Sequence, residues 1–191
     1  MNINPDVLIS LYEGIVGGDL DATNESNAPL YEILKSDPIN SLVSNAAIIE
    51  MDGISVDITR HAVSGMFSII RPKGSLGTDT IVKTWAEISD DVRGSVKSAL
   101  LRGIMYDDPF ISAHSMRALR FIVVEEIHKA LWKTFFTDVA PIIESDQYTN
   151  VTKTNILLLF SDVVDDITAF EFMKIYDQNF TNAILSKYIL S

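Results

Sequence analysis

Apolar side chains recur at intervals of three and four residues along nearly the whole chain, and this periodicity constrains the fold more than any other feature. Such spacing lines up apolar residues on one face of an α-helix. No segment shows the strict alternation of apolar and polar residues that marks a half-buried strand. The sequence therefore predicts an all-α fold of about nine helices, separated by short turns that contain Pro, Gly or Asp.

The most regular stripe predicts one long amphipathic helix over residues 81–100, in which apolar residues step by four, three, four, four and four positions. A weaker helix is predicted over residues 28–35. A later helix carries an apolar arc over residues 116–127, and Arg117 points away from that arc. We therefore predict that Trp85 and the arc residues are buried and that Arg117 faces solvent or a partner. The arc consists of Met116, Leu119, Val123 and Ile127.

Taken in order, the helices pair into hairpins that begin about 33 to 51 residues apart. A single hairpin cannot bury its apolar face alone, so units of this size are expected to stack on one another. We predict one α-solenoid domain over residues 1–191, a right-handed superhelical stack of about four to five hairpins. The predicted repeats cover residues 5–37, 38–72, 79–128 and 130–167, with a partial fifth at 168–191. A closed helical bundle is the alternative architecture.

The composition argues against several classes of function. The chain has 26 acidic and 15 basic residues, and its net charge of −11 would repel a phosphate backbone, which argues against sequence-neutral nucleic-acid binding. It has no cysteine, which excludes disulfides, thiolate metal sites and a cysteine nucleophile. It also lacks a P-loop and the G-x-S-x-G and H-E-x-x-H motifs, and its three histidines do not have metal-ligand spacing.

These absences predict a protein that is not an enzyme and holds no metal or cofactor. The best cation candidate is the trio Asp162, Asp165 and Asp166, although such a run more often forms a solvated acidic face. A closed-bundle enzyme with unrecognised site residues is the alternative. No apolar stretch approaches the ~20 residues needed to span a bilayer. Because the N-terminus also lacks the basic region of a signal peptide, we expect an intracellular protein without membrane insertion.

A pattern anchored by a tryptophan is the first specific signal in the sequence. It runs from Trp85-Ala86-Glu87-Ile88 through Val92-Arg93 and Val96-Lys97 to Leu100-Leu101. This pattern resembles the third HEAT repeat of the importin-β (karyopherin-β) family, in which a Trp begins a long helix that ends in a similar run.

A second tryptophan pattern lies downstream, where residues 113–118 are followed by Glu126-Ile127 and Leu131-Trp132. It resembles the family's Ala-rich second helix, its acidic residue and the Trp that opens the fourth repeat. Upstream, Arg60-His61-Ala62 falls where the family has its second B helix, and Phe67-Ser68-Ile69 stands in place of the usual Leu-Lys-Asn-like triplet. The resemblance spans about residues 5–190 and implies the N-terminal HEAT-repeat region of such a protein.

The resemblance implies a nuclear transport receptor that moves between cytoplasm and nucleus and is not an enzyme. In that family the second helix of each repeat, the B helix, lines a concave surface that receives the GTP-bound form of the small GTPase Ran, and this binding is coupled to cargo release. The implied partners are Ran in its GTP form, cargo or adaptor proteins with basic signals, and nucleoporins. The alternative is a HEAT-repeat protein–protein interaction scaffold without a transport role.

Six side chains at outward positions of the predicted B helices are the candidate partner-binding residues. They are Arg60 and Ser64 on one helix, Arg117 and Glu125 on the next, and Asp162 and Asp165 on the third. The acidic pair suits the basic surface of a protein partner, because opposite charges steer association.

Overall fold

A computed structural model describes residues 3–17, 20–71, 81 and 84–166, and within these ranges the chain is helical and contains no β-strand. The all-α prediction is therefore confirmed. The helices are α1 (Pro5–Gly17), α2 (Leu20–Ser36), α3 (Pro38–Glu50), α4 (Val56–Ile70), α5 (Asp90–Ile104), α6 (Pro109–His128), α7 (Phe135–Glu144) and α8 (Asn150–Asp166), with a single 3₁₀ turn at Trp85–Glu87.

The helices form two layers of stacked hairpins. In chain order, α1 packs on α2, α3 on α4, α5 on α6, and α7 on α8. In one layer α3 lies beside α5, and in the other layer α4 lies beside α6 and α6 beside α8. Apolar side chains fill the space between the layers. Each hairpin is thus covered by the next, and the described part of the chain is an α-solenoid rather than a closed bundle.

Five of the described helices begin at a residue whose side chain caps the first turn, namely Asn4, Asp37, Ser55, Asp108 and Thr149. Asp37 accepts a hydrogen bond from the backbone N–H of Asn40 at 3.3 Å, and the Ser55 hydroxyl accepts one from the backbone N–H of Ile58 at 3.3 Å. Asp108 accepts from two amides of the first turn of α6. Each bond satisfies an N–H group that has no partner within its own helix. The turns predicted from Pro, Gly and Asp therefore become defined helix starts.

A buried polar contact fixes the first hairpin on the second. The Tyr12 hydroxyl donates to Asn45 Oδ1 at 2.7 Å, and the Tyr12 ring stacks on His61 with 5.5 Å between ring centroids. Burial raises the pKa of Tyr12 above its ordinary value. Gly65 leaves room for this contact, because a Cβ at that position would lie 3.0 Å from the Tyr12 hydroxyl oxygen. The pair thus connects α1, α3 and α4.

The helix predicted over residues 81–100 is not continuous, and this prediction was wrong. The chain forms a 3₁₀ turn at Trp85–Glu87, becomes extended at Ile88 with φ −75° and ψ 143°, and starts α5 only at Asp90. Ser89 is a preferred N-cap residue type, and the acidic pair Asp90 and Asp91 favours the N-terminal end of a helix dipole. These residues start a new helix where the apolar spacing alone indicated continuation.

Other predictions differ less from the structure. The helix predicted over residues 28–35 extends over Leu20–Ser36. Trp85 and three of the four arc residues are buried, whereas Met116 is only half-buried, so its predicted burial was wrong. Arg117 is exposed as predicted. The predicted fifth repeat lies outside the described residues, and the division of the chain into repeats remains a prediction.

Among the described residues, no helix combines the length and the apolar content that crossing a bilayer requires.

Candidate functional site

The residues of the two tryptophan patterns come together in one buried cluster centred on Glu126. The Glu126 side chain is fully buried, and each of its carboxylate oxygens has a donor. Trp85 Nε1 donates to Oε1 at 2.8 Å, and Lys97 Nζ donates to Oε2 at 2.8 Å. Arg93 Nε lies 3.9 Å from Oε1. Because a buried charge is tolerated only when it is paired, these contacts explain why the residues occur together.

The second tryptophan closes the same cluster. Lys97 Nζ lies 4.4 Å from the centroid of the Trp132 ring, a cation–π contact. The backbone carbonyl of Glu126 accepts a hydrogen bond from the Leu131 amide at 2.8 Å, which closes the C-terminus of α6 with Ala130 at φ 58°. The cluster, which we call the Glu126 cluster, therefore joins the 3₁₀ turn, α5, α6 and the loop that follows. Its central residues, Trp85 and Glu126, are fully buried and stabilise the fold, whereas Lys97 and Trp132 are only partly buried.

The first pair of predicted binding residues, Arg60 and Ser64, lies on α4 where that helix meets the N-terminal end of α6. Arg60 Nη1 donates to Asp57 at 2.8 Å, and Arg60 Nε and Nη2 donate to Asp108 at 3.1 and 2.6 Å. These hydrogen bonds hold the pKa of the Asp108 carboxyl below its ordinary value. Asp108 also caps α6, so Arg60 ties α4 to the start of its neighbour. Ser64 lies one turn further along α4.

Ser64 and Arg60 line a cavity of about 450 Å³ at the N-terminal ends of α4 and α6. Its other walls include His61 and the exposed side chain of Phe110. Burial lowers the pKa of His61 below its ordinary value. The cavity is thus bounded by both apolar and charged groups, and two of the six predicted residues share it.

The junction between α6 and α8 holds the acidic residues. Arg120 Nε and Nη2 donate to the two oxygens of Asp166 at 2.6 and 2.8 Å, and Arg120 Nη1 lies 3.0 Å from Asp162. Hydrogen bonding to Asp166 raises the pKa of the Arg120 guanidinium above its ordinary value. Asp162 is therefore occupied by an intramolecular ion pair, whereas Asp165 is exposed. The apolar spacing within one helix does not indicate Arg120 as the partner of Asp162.

Aromatic side chains that we did not select from the sequence form a row across α4 and α6. Phe110 stacks on His114 with 3.9 Å between centroids, Phe67 meets the edge of His114 at 5.4 Å, and Phe67 stacks on Phe121 at 6.5 Å. We call these four residues the aromatic row. Three of the four had a signal in the sequence, because Phe110, His114 and Phe121 are spaced four and seven residues apart, off the buried arc of α6.

The six predicted residues thus lie on three neighbouring helices. Arg117 is exposed beside the aromatic row, and Glu125 is half-buried further along α6. Within the described ranges, no group of three or more His, Asp or Glu side chains is placed to hold a metal ion. The arrangement offers a surface of aromatic rings and ion pairs.

Comparison with known proteins gives similarity in structure only. No family model matches the sequence, and no curated protein matches it. The structure is similar to Kap95, an importin-β, in a Kap95:Nup1 complex, with a TM-score of 0.73 and 13% identity over 96% of this chain and 21% of that one. It is also similar to Kap95p in a second structure, in which Kap95p binding induces the switch loops of RanGDP to adopt the GTP-bound conformation. That comparison gives a TM-score of 0.71 and 12% identity over 87% of this chain and 19% of that one.

The chain therefore spans about a fifth of the length of these solved chains. At 12–13% identity the likeness shows the fold, a HEAT-like solenoid as in Kap95.

Proposed function

We propose that this chain is a helical-repeat protein-interaction module, and that the exposed side of α4, α6 and α8 binds a protein partner. The observation that carries the proposal is the likeness to Kap95 over 96% of the chain, because Kap95 is in a complex with another protein in that structure. Helical solenoids present extended surfaces of this kind for binding.

The composition of the surface supports the same proposal. Phenylalanine and arginine are enriched in the cores of protein interfaces, whereas Lys and Glu are depleted there. The aromatic row lies beside Arg117, and Phe110 exposes 41% of its surface. On the side of α6 that faces α5, Trp85 and Glu126 are fully buried and offer no surface to a partner. A partner would therefore meet rings and guanidinium groups on α4 and α6 and carboxylates on α8.

More specifically, we propose a nuclear transport receptor region that binds Ran in its GTP form and couples this binding to cargo release. The tryptophan patterns and the likeness to a Kap95 structure that contains Ran support this assignment. Such a protein would work in the cytoplasm and the nucleus and would also meet nucleoporins and cargo or adaptor proteins with basic signals. Coupling means that Ran and cargo lower each other's affinity by the same factor.

A scaffold without a transport role is the second candidate function, and one observation favours it. The triplet Phe67-Ser68-Ile69 carries no cation where the importin-β family usually has a lysine. Within the triplet, Phe67 belongs to the aromatic row and Ile69 is fully buried, so neither side chain can replace the missing positive charge. This surface would then suit a partner other than Ran.

Calorimetry with Ran loaded with a non-hydrolysable GTP analogue, and separately with GDP, tests the proposal. We expect the GTP-like form to bind at least about tenfold more tightly, a difference of about 1.4 kcal/mol. Arg117→Glu should weaken binding by at least about tenfold, because it reverses a charge beside the aromatic row. Lys133→Glu makes the same charge change at an exposed site before α7 and should stay within about twofold.

The two outcomes separate the candidates. Absence of binding to either nucleotide form rejects the transport assignment and leaves the scaffold. Binding that Arg117→Glu and Lys133→Glu weaken equally would reject the α4–α6–α8 surface as the interface.

A further inference from the structure

We infer that Asp52, in the turn between α3 and α4, is a site of spontaneous isomerisation to isoaspartate. Asp52-Gly53 is the single Asp-Gly pair in the sequence, which contains no Asn-Gly pair. The Asp52 side chain is 97% exposed, so water reaches the carboxyl group freely. Gly53 has φ +80°, and no atom lies within 4 Å of the position that a Cβ would occupy.

The chemistry needs only the chain and water. The backbone nitrogen of Gly53 attacks Cγ of the protonated Asp52 carboxyl group, and the new C–N bond closes a five-membered succinimide. The hydroxyl of the carboxyl group leaves with the amide proton of Gly53 as one molecule of water. Water then adds to one of the two ring carbonyls and breaks its C–N bond. Opening at the side-chain carbonyl restores aspartate, and opening at the main-chain carbonyl gives isoaspartate of unchanged mass.

The structure presents the nucleophile at this turn without a competing bond. Among the described residues, the Gly53 amide donates to no backbone carbonyl. Glycine also places no side chain beside the attacking nitrogen. By contrast, Asp57 lies in the first turn of α4 and precedes the β-branched Ile58, so its next amide is hindered and held in a helix. The same contrast holds for Asp91, which precedes Val92 in α5.

Arg102 of α5 is the group that opposes the reaction. Its Nη2 donates to Asp52 Oδ1 at 2.9 Å, and its Nη1 donates to Glu50 at 3.3 Å. The Asp52 carboxylate must leave this ion pair before Cγ can approach the Gly53 nitrogen. In isoaspartate, the peptide bond to Gly53 is formed by the side-chain carbon Cγ of residue 52. The former main-chain carbonyl carbon then carries the free carboxyl group. The modification would therefore end the contact between the turn and α5.

The experiment incubates the intact chain near neutral pH at body temperature for several weeks. Isoaspartate is located by fragmentation mass spectrometry of the peptide that contains residue 52, and by radiolabelled methyl transfer from S-adenosylmethionine with an isoaspartyl methyltransferase. We expect isoaspartate to accumulate at residue 52 and not at Asp57 or Asp91. Asp52→Glu should remove the signal, because the corresponding ring has six members and closes more slowly.

Arg102→Gln supplies the second measurement. Loss of this exposed ion pair should raise the rate of isomerisation by about two- to fivefold. The site is rejected if isoaspartate at residue 52 does not exceed that at Asp57 in the native chain while the urea-unfolded chain converts readily. The protective role of Arg102 is rejected if Arg102→Gln leaves the rate unchanged.

Discussion

The two sides of α6 hold carboxylates and cations at similar distances but in different surroundings. On the side that faces α5, Lys97 donates to a Glu126 side chain that has no exposed surface. On the side that faces α8, Arg120 pairs with Asp162 and Asp166, and about a third of each of these side chains is exposed. The closest contacts are 2.8 Å and 2.6 Å. Distance alone therefore does not distinguish the two ion pairs, and burial does.

Burial changes the energy through the surrounding dielectric. Removing one partner of a buried pair leaves the other charge without water or a counter-charge. An exposed pair exchanges its partner for water and salt ions at little cost. The Glu126 cluster should consequently contribute to stability, and the Arg120 pairs should contribute chiefly to the charge pattern that a partner meets.

The largest effect should come from Glu126→Ala. This change leaves the buried Trp85 Nε1 without its acceptor and removes the counter-charge of the partly buried Lys97, and we expect the free energy of unfolding to fall by about 3–5 kcal/mol. Urea denaturation followed by circular dichroism measures it. Glu125→Ala is the matched control, because its side chain is half-buried, and it should change stability by about 0.5 kcal/mol or less. Equal losses in both variants would contradict the comparison.

An intermediate effect should come from Gly103→Ala on the α5–α6 contact. A methyl group there would overlap Ser115 Oγ and lie 2.9 Å from Ser115 Cβ, so we expect a loss of about 1–3 kcal/mol. Gly94→Ala tests the same helix at an open site, where no atom lies within 4 Å. It should raise stability by up to about 1 kcal/mol, because Ala favours the helix more than Gly does. Thermal denaturation of both variants shows whether each substitution raises or lowers stability. Two changes in the same direction would show that α5 and α6 can move apart to admit the methyl group.

The smallest effect should come from Arg120→Gln. Because its ion pairs are partly exposed to solvent, we expect a loss below about 1 kcal/mol at low salt. The loss should shrink in about 1 M NaCl, where the Debye length falls to about 3 Å. Urea denaturation at both salt concentrations measures the difference. A loss as large as that of Glu126→Ala, or one that salt does not reduce, would mean that the two sides of α6 are equivalent.

The sequence was sufficient to predict the elements that follow from local spacing. The all-α architecture follows from the helical spacing, and within α6 the burial of Leu119, Val123 and Ile127 and the exposure of Arg117 follow from the face that each residue occupies. Trp85 is buried as predicted, although it lies in a 3₁₀ turn and not in the long helix from which its burial was predicted. The break before α5 could not be read from this spacing, because apolar residues at positions 81, 85 and 88 fit a turn followed by a helix as well as one long helix. The capping residue type at position 89 was the available signal.

The candidate surface was harder to predict because it depends on which helices are neighbours. Asp162 reads as an acidic group on an exposed face, and its pairing with Arg120 requires α6 and α8 to lie side by side. The aromatic row likewise joins Phe67 to residues on α6 that follow it by more than forty positions. Periodicity within one helix carries no information on such contacts.

The side-chain hydrogen bonds between hairpins carry a mechanical consequence. Among the described residues, each hydrogen bond between side chains of two different hairpins joins positions that are 33 to 52 apart in sequence. The separation is smallest for the Tyr12–Asn45 pair and largest for the Arg102–Glu50 pair. Each such bond therefore spans about one repeat. A pulling force on the two ends of this region would load these links one after another instead of all at once. The solenoid should stretch as a spring and lose its hairpins in steps, because each hairpin is held by its neighbours.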